Sequence, residues 1–190
     1  MKDFKIACVQ IASGPKIKAN LLEVSKYISE AKNKGANIVL LPENFAVMVK
    51  DDIMYLDYQE KFGDGIIQNF ISGEAKKNDI WIIAGTIPIK SKQKDKVLSR
   101  CIVYNNKGES VSSYDKIHLF DVNLLETNEK YRESDVFLAG NTIATVDTPY
   151  CKIGLAVCYD LRFPELFREL SNQDVDLICL PAAFTAVTGK

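Results

Sequence analysis

Short, almost entirely apolar runs alternate with amphipathic segments along this chain. The runs Asn37–Leu41 (NIVLL) and Ile80–Ile87 (IWIIAGTI) are typical of buried β-strands. Each follows a segment with the apolar spacing of a helix, first Lys18–Lys34, which stops at Gly35, and then Ile66–Ala75. Strands and helices that alternate in this way pack as layers around a shared core, so we expect an α/β fold.

The other predicted elements make the sheet mixed. Two apolar stretches flank the turn Asn105–Gly108 and predict a hairpin, which is an antiparallel unit. The polar stretch 123–135 is predicted to be a loop. Further strands are predicted at Phe4–Gln10, Cys101–Tyr104, Val111–Lys116, Thr142–Asp147, Ile153–Cys158 and Leu177–Leu180, and a further helix at Pro164–Asn172.

Length and charge favour one domain that binds a small molecule. The 190 residues are 47% hydrophobic, which is enough for one core, and we predict a single domain over residues 1–190. Charged residues make up 26% of the chain but sum to −1, so neither a nucleic acid nor a membrane is indicated as a partner. No signal peptide and no apolar run near the roughly 20 residues of a membrane span are evident, which favours a cytoplasmic protein.

The cysteines are scattered, odd in number and never in CxxC spacing. This pattern argues against a disulfide framework and a zinc site, so free thiols are expected. The sequence also has no His/Cys cluster and no glycine-rich phosphate loop. The five cysteines are Cys8, Cys101, Cys151, Cys158 and Cys179.

Cys158 stands at a predicted junction of strand, tight turn and helix. It ends the run Gly154–Val157 and precedes Tyr159–Pro164, in which Pro164 suits the first turn of a helix. Such an elbow exposes the side chain and directs backbone N–H groups toward the same space, where they would stabilise an oxyanion. A buried, inert core thiol is the alternative.

A thiol needs a base or a nearby cation to attack at neutral pH. The single histidine, His118, offers a Cys–His pair, but a hydrogen-bonded structural histidine near a strand end is the favoured interpretation. Glu43 and Lys116 each follow a predicted strand, at the edge where α/β sheets bind ligands. The alternatives are that Glu43 is a solvated loop residue and that Lys116 is a surface lysine. These patterns do not decide which residue is the base.

Three segments resemble the signature motifs of the nitrilase superfamily, in the family's order. They are Leu40–Asn44 (LLPEN), Tyr114–Asp121 (YDKIHLFD) and Gly154–Leu166 (GLAVCYDLRFPEL). Tyr131–Ser134 (YRES) resembles the accessory glutamate motif, and Pro181–Thr185 (PAAFT) resembles the segment that lines the substrate pocket. The third motif is most similar to the Nit branch, which includes deaminated glutathione amidases, and ω-amidases share nearly all of these motifs.

The resemblance implies an α-β-β-α sandwich and a cysteine-dependent amidase that forms a thioester. Cys158 would be the nucleophile and Glu43 the general base. Lys116 would favour the thiolate and, with the backbone N–H of Tyr159, stabilise the oxyanion. Glu133 would be an accessory catalytic residue that orients Lys116, with a solvated loop glutamate as the alternative. The implied chemistry requires no cofactor, which agrees with the absence of the motifs noted above.

The resemblance also implies a small amide substrate that carries a carboxylate. Arg162 would bind that carboxylate, unless it forms a structural salt bridge within the elbow. Phe184 and Thr185 would contribute to the pocket, as would Tyr159. The competing interpretations are an inactive relic or interaction subunit that keeps the motifs by descent, and a nitrilase or carbamoylase with the same triad.

Nitrilase-like domains continue past the equivalents of Thr188–Lys190 through another helix and several strands. We therefore expect the fold to be incomplete at its C-terminus, with the second sheet and the pocket walls unfinished. Unpaired strand edges would make the isolated chain poorly stable or weakly active unless another chain covers them. A homo-oligomer is expected from the same resemblance.

Overall fold

A computed structural model describes residues 3–124 and 129–184 of the protein. Within them, the α-helices are α1 (Ile17–Asn33), α2 (Tyr55–Tyr58), α3 (Ile66–Lys77) and α4 (Pro164–Ser171). The strands are β1 (Ile6–Cys8), β2 (Ile38–Leu41), β3 (Trp81–Ala84), β4 (Ile87–Lys90), β5 (Val97–Tyr104), β6 (Ser110–Asp115), β7 (Asp121–Leu124), β8 (Glu129–Arg132), β9 (Ala144–Asp147), β10 (Lys152–Leu155) and β11 (Leu177–Cys179). Short 3₁₀ turns occupy Asp52–Met54, Glu133–Asp135 and Cys158–Arg162.

The strands form two larger sheets and one hairpin. In the first sheet, β1, β2 and β3 run parallel, and β5 pairs antiparallel with β3, β4 and β6. In the second sheet, β10 lies between β11, to which it is parallel, and β9, to which it is antiparallel. Strands β7 and β8 pair separately. The prediction of an α/β fold with mixed sheets is confirmed.

Neighbouring residues of one strand face two different layers, because side chains alternate across a sheet. Val39 of β2 lies in an apolar cluster with Ile28 of α1 and Ile71 of α3. Its neighbour Ile38 faces the other way and joins a cluster with Ile153 of the second sheet. Burial on both faces explains why β2 and β3 are apolar throughout.

Helix α4 covers the outer face of the second sheet. Its buried residues Leu166 and Leu170 pack with Ala156, which follows β10. Gly154 of β10 permits this close packing, since a Cβ atom there would lie 3.1 Å from a methyl carbon of Leu170. The described layers are thus helix, sheet, sheet and helix.

The strand predicted over Ile80–Ile87 is interrupted, and an unbroken strand there is wrong. Ile83 of β3 pairs with Val103, and Ile87 of β4 pairs with Arg100. The two isoleucines are four positions apart in the sequence, whereas their partners on β5 are only three positions apart. One extra residue is therefore inserted, as in a β-bulge. Gly85 lies in this bulge with φ of +34°, a conformation that hydrophobicity patterns do not reveal.

The bulge supports the turn that carries Glu43. A Cβ atom at Gly85 would lie 1.8 Å from the Pro42 carbonyl oxygen, so the backbones approach too closely for any side chain. Beside it, the buried Thr86 hydroxyl accepts a hydrogen bond from the Asn44 amide (2.9 Å) and lies 3.2 Å from Asn44 Oδ1. The residues on both sides of Glu43 are thereby fixed.

We expect Gly85→Ala to destabilise the fold by about 3 kcal/mol. The added Cβ atom would overlap the Pro42 carbonyl oxygen, and alanine rarely adopts the positive φ of this position. The melting temperature would fall by roughly 6–12 °C in a thermal unfolding experiment. Gly73→Ala is the matched control, because Gly73 lies within α3 with no atom within 4 Å of its added Cβ, and this change stabilises by about 0.5–1 kcal/mol. Equal melting temperatures for the two variants would contradict the role of Gly85.

The polar loop predicted at 123–135 is also wrong. Most of it belongs to the hairpin β7–β8 and to the 3₁₀ turn Glu133–Asp135. Val122 pairs with Tyr131 in this hairpin, and both side chains line the cavity described below. A hairpin this short has few apolar positions, so the alternation that marks a strand is weak.

Candidate active site

Cys158 follows β10 by three residues instead of ending the strand as predicted. It opens the turn Cys158–Arg162 and has φ of +46°, which a residue within a strand cannot adopt. Non-glycine residues in this region carry strain of order 1–3 kcal/mol that the surrounding structure must offset. Here the Cys158 amide donates a hydrogen bond to the Pro181 carbonyl (2.9 Å), which ties the elbow to the segment after β11.

The structure brings Glu43, Lys116 and Glu133 together. The Lys116 ammonium lies 3.0 Å from Glu43 Oε1 and 2.9 Å from Glu133 Oε2. The side chains of Lys116 and Glu43 are only 2% and 6% exposed, so water hardly screens their ion pair. Neither residue is therefore the solvated surface group that the sequence left open.

A backbone amide also donates a hydrogen bond to each of the two carboxylates. Ala183 N–H donates to Glu43 Oε2 (2.8 Å), and Phe120 N–H donates to Glu133 Oε2 (2.5 Å). Sequence patterns do not reveal either of these hydrogen bonds. Both oxygens of Glu43 are thus engaged, one by Lys116 and one by Ala183, and the amide of Phe120 restrains the carboxylate of Glu133 that contacts Lys116.

Burial and charge keep the Cys158 thiol protonated. Burial raises the pKa of this thiol to about 12, the negative charge of Glu43 adds to the rise, and Lys116 opposes it. Burial alone would lower the pKa of Lys116, but the carboxylates of Glu43 and Glu133 raise it above its ordinary value. Burial likewise raises the pKa of Glu133, against the influence of Lys116.

These groups open into one cavity of about 400 Å³. Of the predicted pocket residues, Tyr159, Arg162 and Phe184 line it, whereas Thr185 lies outside the described residues. Ala183, in the segment predicted to line the pocket, also lines the cavity. The lining further includes residues to which the sequence analysis assigned no role, namely Asn44, Met48, Val49, Lys50, Asp52, Tyr55, Phe120, Val122, Tyr131 and Phe137. Several of them follow β2, and their position after the carboxyl end of a parallel strand was the available signal.

A second cavity, of about 630 Å³, lies beside Pro42. Segments from three parts of the chain line it, Cys8–Ile11, Leu40–Pro42 and Leu180–Phe184, and Cys8 is their only titratable side chain. The smaller cavity is therefore the better candidate for a catalytic site, because it holds the thiol together with its ion-paired neighbours.

His118 is engaged by an aspartate. Its Nδ1 lies 2.7 Å from Asp160 Oδ1, and its ring stacks on Phe163 with centroids 3.7 Å apart. It is not among the described residues that line the cavity with Cys158. This arrangement favours the structural histidine over the Cys–His pair.

Arg162 is exposed at the rim of the cavity. None of the ion pairs between described residues includes it, so the salt bridge within the elbow that the sequence allowed is not found there. The described cysteines are all free, and four of the five are buried.

Two absences are established for the described part of the chain. Across residues 3–124 and 129–184, no three His, Cys, Asp or Glu side chains are grouped so that they could hold a metal ion. Over the same ranges, every helix is too short or too polar to cross a lipid bilayer.

The fold is that of the nitrilase superfamily. Nit3 of Saccharomyces cerevisiae, a member of branch 10 of that superfamily, superposes with a TM-score of 0.85 at 30% identity, covering 98% of this chain and 66% of that one. The NitFhit protein of C. elegans superposes with a TM-score of 0.87 at 28% identity, covering 97% of this chain and 45% of that one.

The chain belongs to the carbon-nitrogen hydrolase family, which residues 5–189 match. It is 36% identical to a deaminated glutathione amidase of Yersinia enterocolitica and 35% identical to the omega-amidase NIT2-A of Xenopus laevis. Both alignments cover the whole chain, but only 66% and 67% of the relatives' lengths. The chain spans 56% of the nitrilase homolog 2 of Dictyostelium discoideum, at 37% identity. The predicted resemblance is confirmed.

Proposed function

We propose that this chain is a thiol-dependent amidase that acts on a small amide bearing a carboxylate. The observation that carries the proposal is the buried contact of Lys116 with Glu43 in the cavity that Cys158 also lines. A deaminated glutathione amidase and an omega-amidase among the relatives support the substrate class.

In the first half of the reaction, the neutral thiol transfers its proton to the Glu43 carboxylate as sulfur attacks the amide carbonyl. A protonated thiol needs such a base, because only the thiolate is a strong nucleophile. When the tetrahedral intermediate collapses, the C–N bond breaks and the nitrogen takes the proton from Glu43. Ammonia leaves, and a thioester to Cys158 remains.

In the second half, the ionised Glu43 removes a proton from water, and the resulting hydroxide adds to the thioester carbonyl. The C–S bond then breaks, sulfur regains its proton from Glu43, and the carboxylic acid is released. One water is consumed and one ammonia is produced in each cycle. The carboxylate of Glu43 thus serves both steps without a net change.

The negative charge on oxygen in both intermediates needs a fixed donor. We assign this role to the Lys116 ammonium together with the Tyr159 amide. The neighbouring amides are already used, since that of Cys158 donates to Pro181 and that of Asp160 donates to Val157 (3.0 Å). Lys116 remains fixed through both steps because Glu133 holds it.

The substrate carboxylate would meet positive charge at the cavity rim. Arg162 presents a planar fork that can bind a carboxylate through two hydrogen bonds. Lys50, also exposed at the rim, adds a second cation. Self-association of the chain stays a prediction of the family resemblance.

The proposal is tested by ammonia release from a panel of amides, nitriles and carbamoyl amino acids. We expect turnover of ω-amides that carry a carboxylate. For these substrates, Arg162→Ala should raise KM by roughly 10- to 100-fold, because the hydrogen bonds between two charged groups are lost. A matching amide without the carboxylate should show no such change. Arg168→Ala, on an exposed arginine of α4, is the matched control.

Two results would contradict this assignment. Faster turnover of nitriles or carbamoyl amino acids than of any amide would favour the other chemistries of the superfamily. Absence of turnover on the whole panel would favour the inactive interaction subunit.

A further inference from the structure

Asp160 is a fully buried carboxylate between two segments of the candidate site. Its side chain is 0% exposed, and both of its oxygens are engaged. Oδ2 accepts from the Tyr114 hydroxyl (2.8 Å) and the Val157 amide (2.8 Å). Oδ1 accepts from the His118 amide (3.1 Å) and lies 2.7 Å from the His118 ring nitrogen Nδ1.

The partners of Asp160 directly adjoin the reactive residues. Tyr114 and His118 lie two positions before and after Lys116, and Val157 directly precedes Cys158. The Tyr114 hydroxyl also accepts from the Ile117 amide (3.3 Å), so it relays the contact to the residue next to Lys116. One carboxylate therefore connects the lysine segment to the cysteine elbow.

An unpaired carboxylate at this depth would be strongly unfavourable, so its partners must stay in place. Hydrogen bonds to an ionised acceptor are about twice as strong as those between neutral groups. The stacked ring of Phe163 further restrains His118. The connection is thus short, charged and rigid.

We propose that Asp160 is a positioning residue that fixes the lysine segment and the cysteine elbow relative to each other. The role concerns the reaction proposed above and rests on that function. A displacement of about 1 Å within a catalytic group can reduce a rate about a hundredfold. Loosening the contact of Asp160 with either Tyr114 or His118 therefore displaces the lysine segment and reduces kcat. Arg162 and Lys50, which we propose bind the substrate, lie outside that segment, so KM stays nearly unchanged.

Asp160 has two arms toward the lysine segment: its contact with the Tyr114 hydroxyl, the hydroxyl arm, and its contact with His118, the histidine arm. Each arm can be tested without altering Asp160 itself, whose replacement would endanger folding. Tyr114→Phe removes the hydroxyl arm, and Tyr104→Phe is its matched control. Tyr104 is a buried tyrosine of the same sheet in the cluster on the opposite face. We expect Tyr114→Phe to lower kcat about tenfold or more with KM within threefold, and Tyr104→Phe to leave both unchanged.

The histidine arm allows a rescue experiment. His118→Ala removes the ring nitrogen that contacts Asp160, whereas His118→Asn places an amide nitrogen near the former Nδ1 position. We expect kcat to fall about tenfold in His118→Ala and to recover to within about threefold of the parent in His118→Asn. A merely space-filling role for the ring would give the two variants the same loss.

A second measurement does not depend on turnover. Alkylation of Cys158 by iodoacetamide at neutral pH is followed by mass spectrometry, with the exposed Cys8 as an internal reference. A loosened Lys116 stabilises the thiolate less well, so the rate for Cys158 relative to Cys8 falls in Tyr114→Phe and His118→Ala. Tyr104→Phe keeps the parental ratio.

The positioning role is overturned if Tyr114→Phe and His118→Ala both retain the parental kcat and alkylation ratio within twofold. It is also overturned if their losses match that of Tyr104→Phe. If the parent chain turns over no amide, the proposed function fails, and the alkylation ratio alone decides on Asp160. A reduced ratio then supports the role, and an unchanged ratio rejects it.

Discussion

We expect replacement of Cys158 by alanine or serine to abolish amide turnover, with a loss on the order of a thousandfold or more. The reason is that the proposed covalent route through a thioester would disappear, and a serine hydroxyl in the same buried place is a far weaker nucleophile. Ammonia release measures the loss. Mass spectrometry of the quenched reaction should show an acylated chain for the parent protein and none for Cys158→Ala.

Cys101→Ala is the matched control for this change. Cys101 is also a buried thiol, in the same apolar cluster between the sheets, and it does not line the cavity. Its loss should destabilise the fold by about 1–2 kcal/mol and leave turnover per folded molecule unchanged. Changes at Cys8, Cys151 and Cys179 should likewise leave turnover per folded molecule unchanged. Near-normal turnover in Cys158→Ala would refute the assignment of Cys158 as the nucleophile.

Glu43→Gln should remove turnover almost as completely, by about 10²- to 10⁴-fold, because a glutamine cannot accept the thiol proton. The same change should make the thiol more acidic. The negative charge of Glu43 adds to the effect of burial in raising the pKa of Cys158 to about 12, so removing it lowers that pKa, although burial keeps it above the ordinary value. The pH profile of Cys158 alkylation therefore shifts to lower pH while catalysis is lost.

For Lys116→Met we expect the opposite change in the pKa of the Cys158 thiol. Lys116 lowers the pKa of the thiol, so its removal raises that pKa further, and alkylation becomes slower at every accessible pH. This variant also leaves Glu43 and Glu133 without their shared cation, which destabilises the fold by about 3–5 kcal/mol. Its alkylation must be measured well below its melting temperature.

Glu74→Gln is the control for the charge change at Glu43. Glu74 is a buried carboxylate of α3 that interacts with Ser25, Lys77 and Asn78, away from the cavity. Its neutralisation should affect stability without moving the alkylation profile of Cys158. Retained turnover in Glu43→Gln, or an alkylation profile shifted to higher pH, would count against Glu43 as the base.

A thiol that stays protonated at rest has a consequence for the mechanism. Many catalytic cysteines are held as thiolates by a neighbouring cation. Here burial and Glu43 outweigh Lys116 in setting the pKa of the thiol, so in the proposed mechanism proton transfer accompanies the attack on the substrate. The resting chain should react slowly with alkylating agents and oxidants, since their rates follow the thiolate fraction.

The elements with strong periodicity could be predicted from the sequence. The helix predicted over Lys18–Lys34 is found at Ile17–Asn33, and the strand Asn37–Leu41 at Ile38–Leu41. Continuous apolar runs and helical stripes report burial directly, because they reflect which faces lie in the core. The hairpin β5–β6 followed in the same way from its turn residues.

The wrong predictions fall where local pattern and tertiary structure conflict. Gly85 continues an apolar run, but the close approach of Pro42 forces a bulge there. Cys158 continues the apolar run after β10, yet β10 already ends at Leu155 and Cys158 has a positive φ. Neither backbone conformation leaves a trace in hydrophobicity.

The sequence by itself determined the layered α/β class and, through three motifs, the family and the candidate residues Glu43, Lys116 and Cys158. Only the tertiary structure decided which groups surround them. The Glu43 carboxylate is held by the amide of Ala183, 140 residues away, and Asp160 contacts His118 and Tyr114, which are 42 and 46 residues away. Such hydrogen bonds depend on distances and angles set by the packing of two sheets, whereas a linear pattern records only which residues are apolar and how they are spaced.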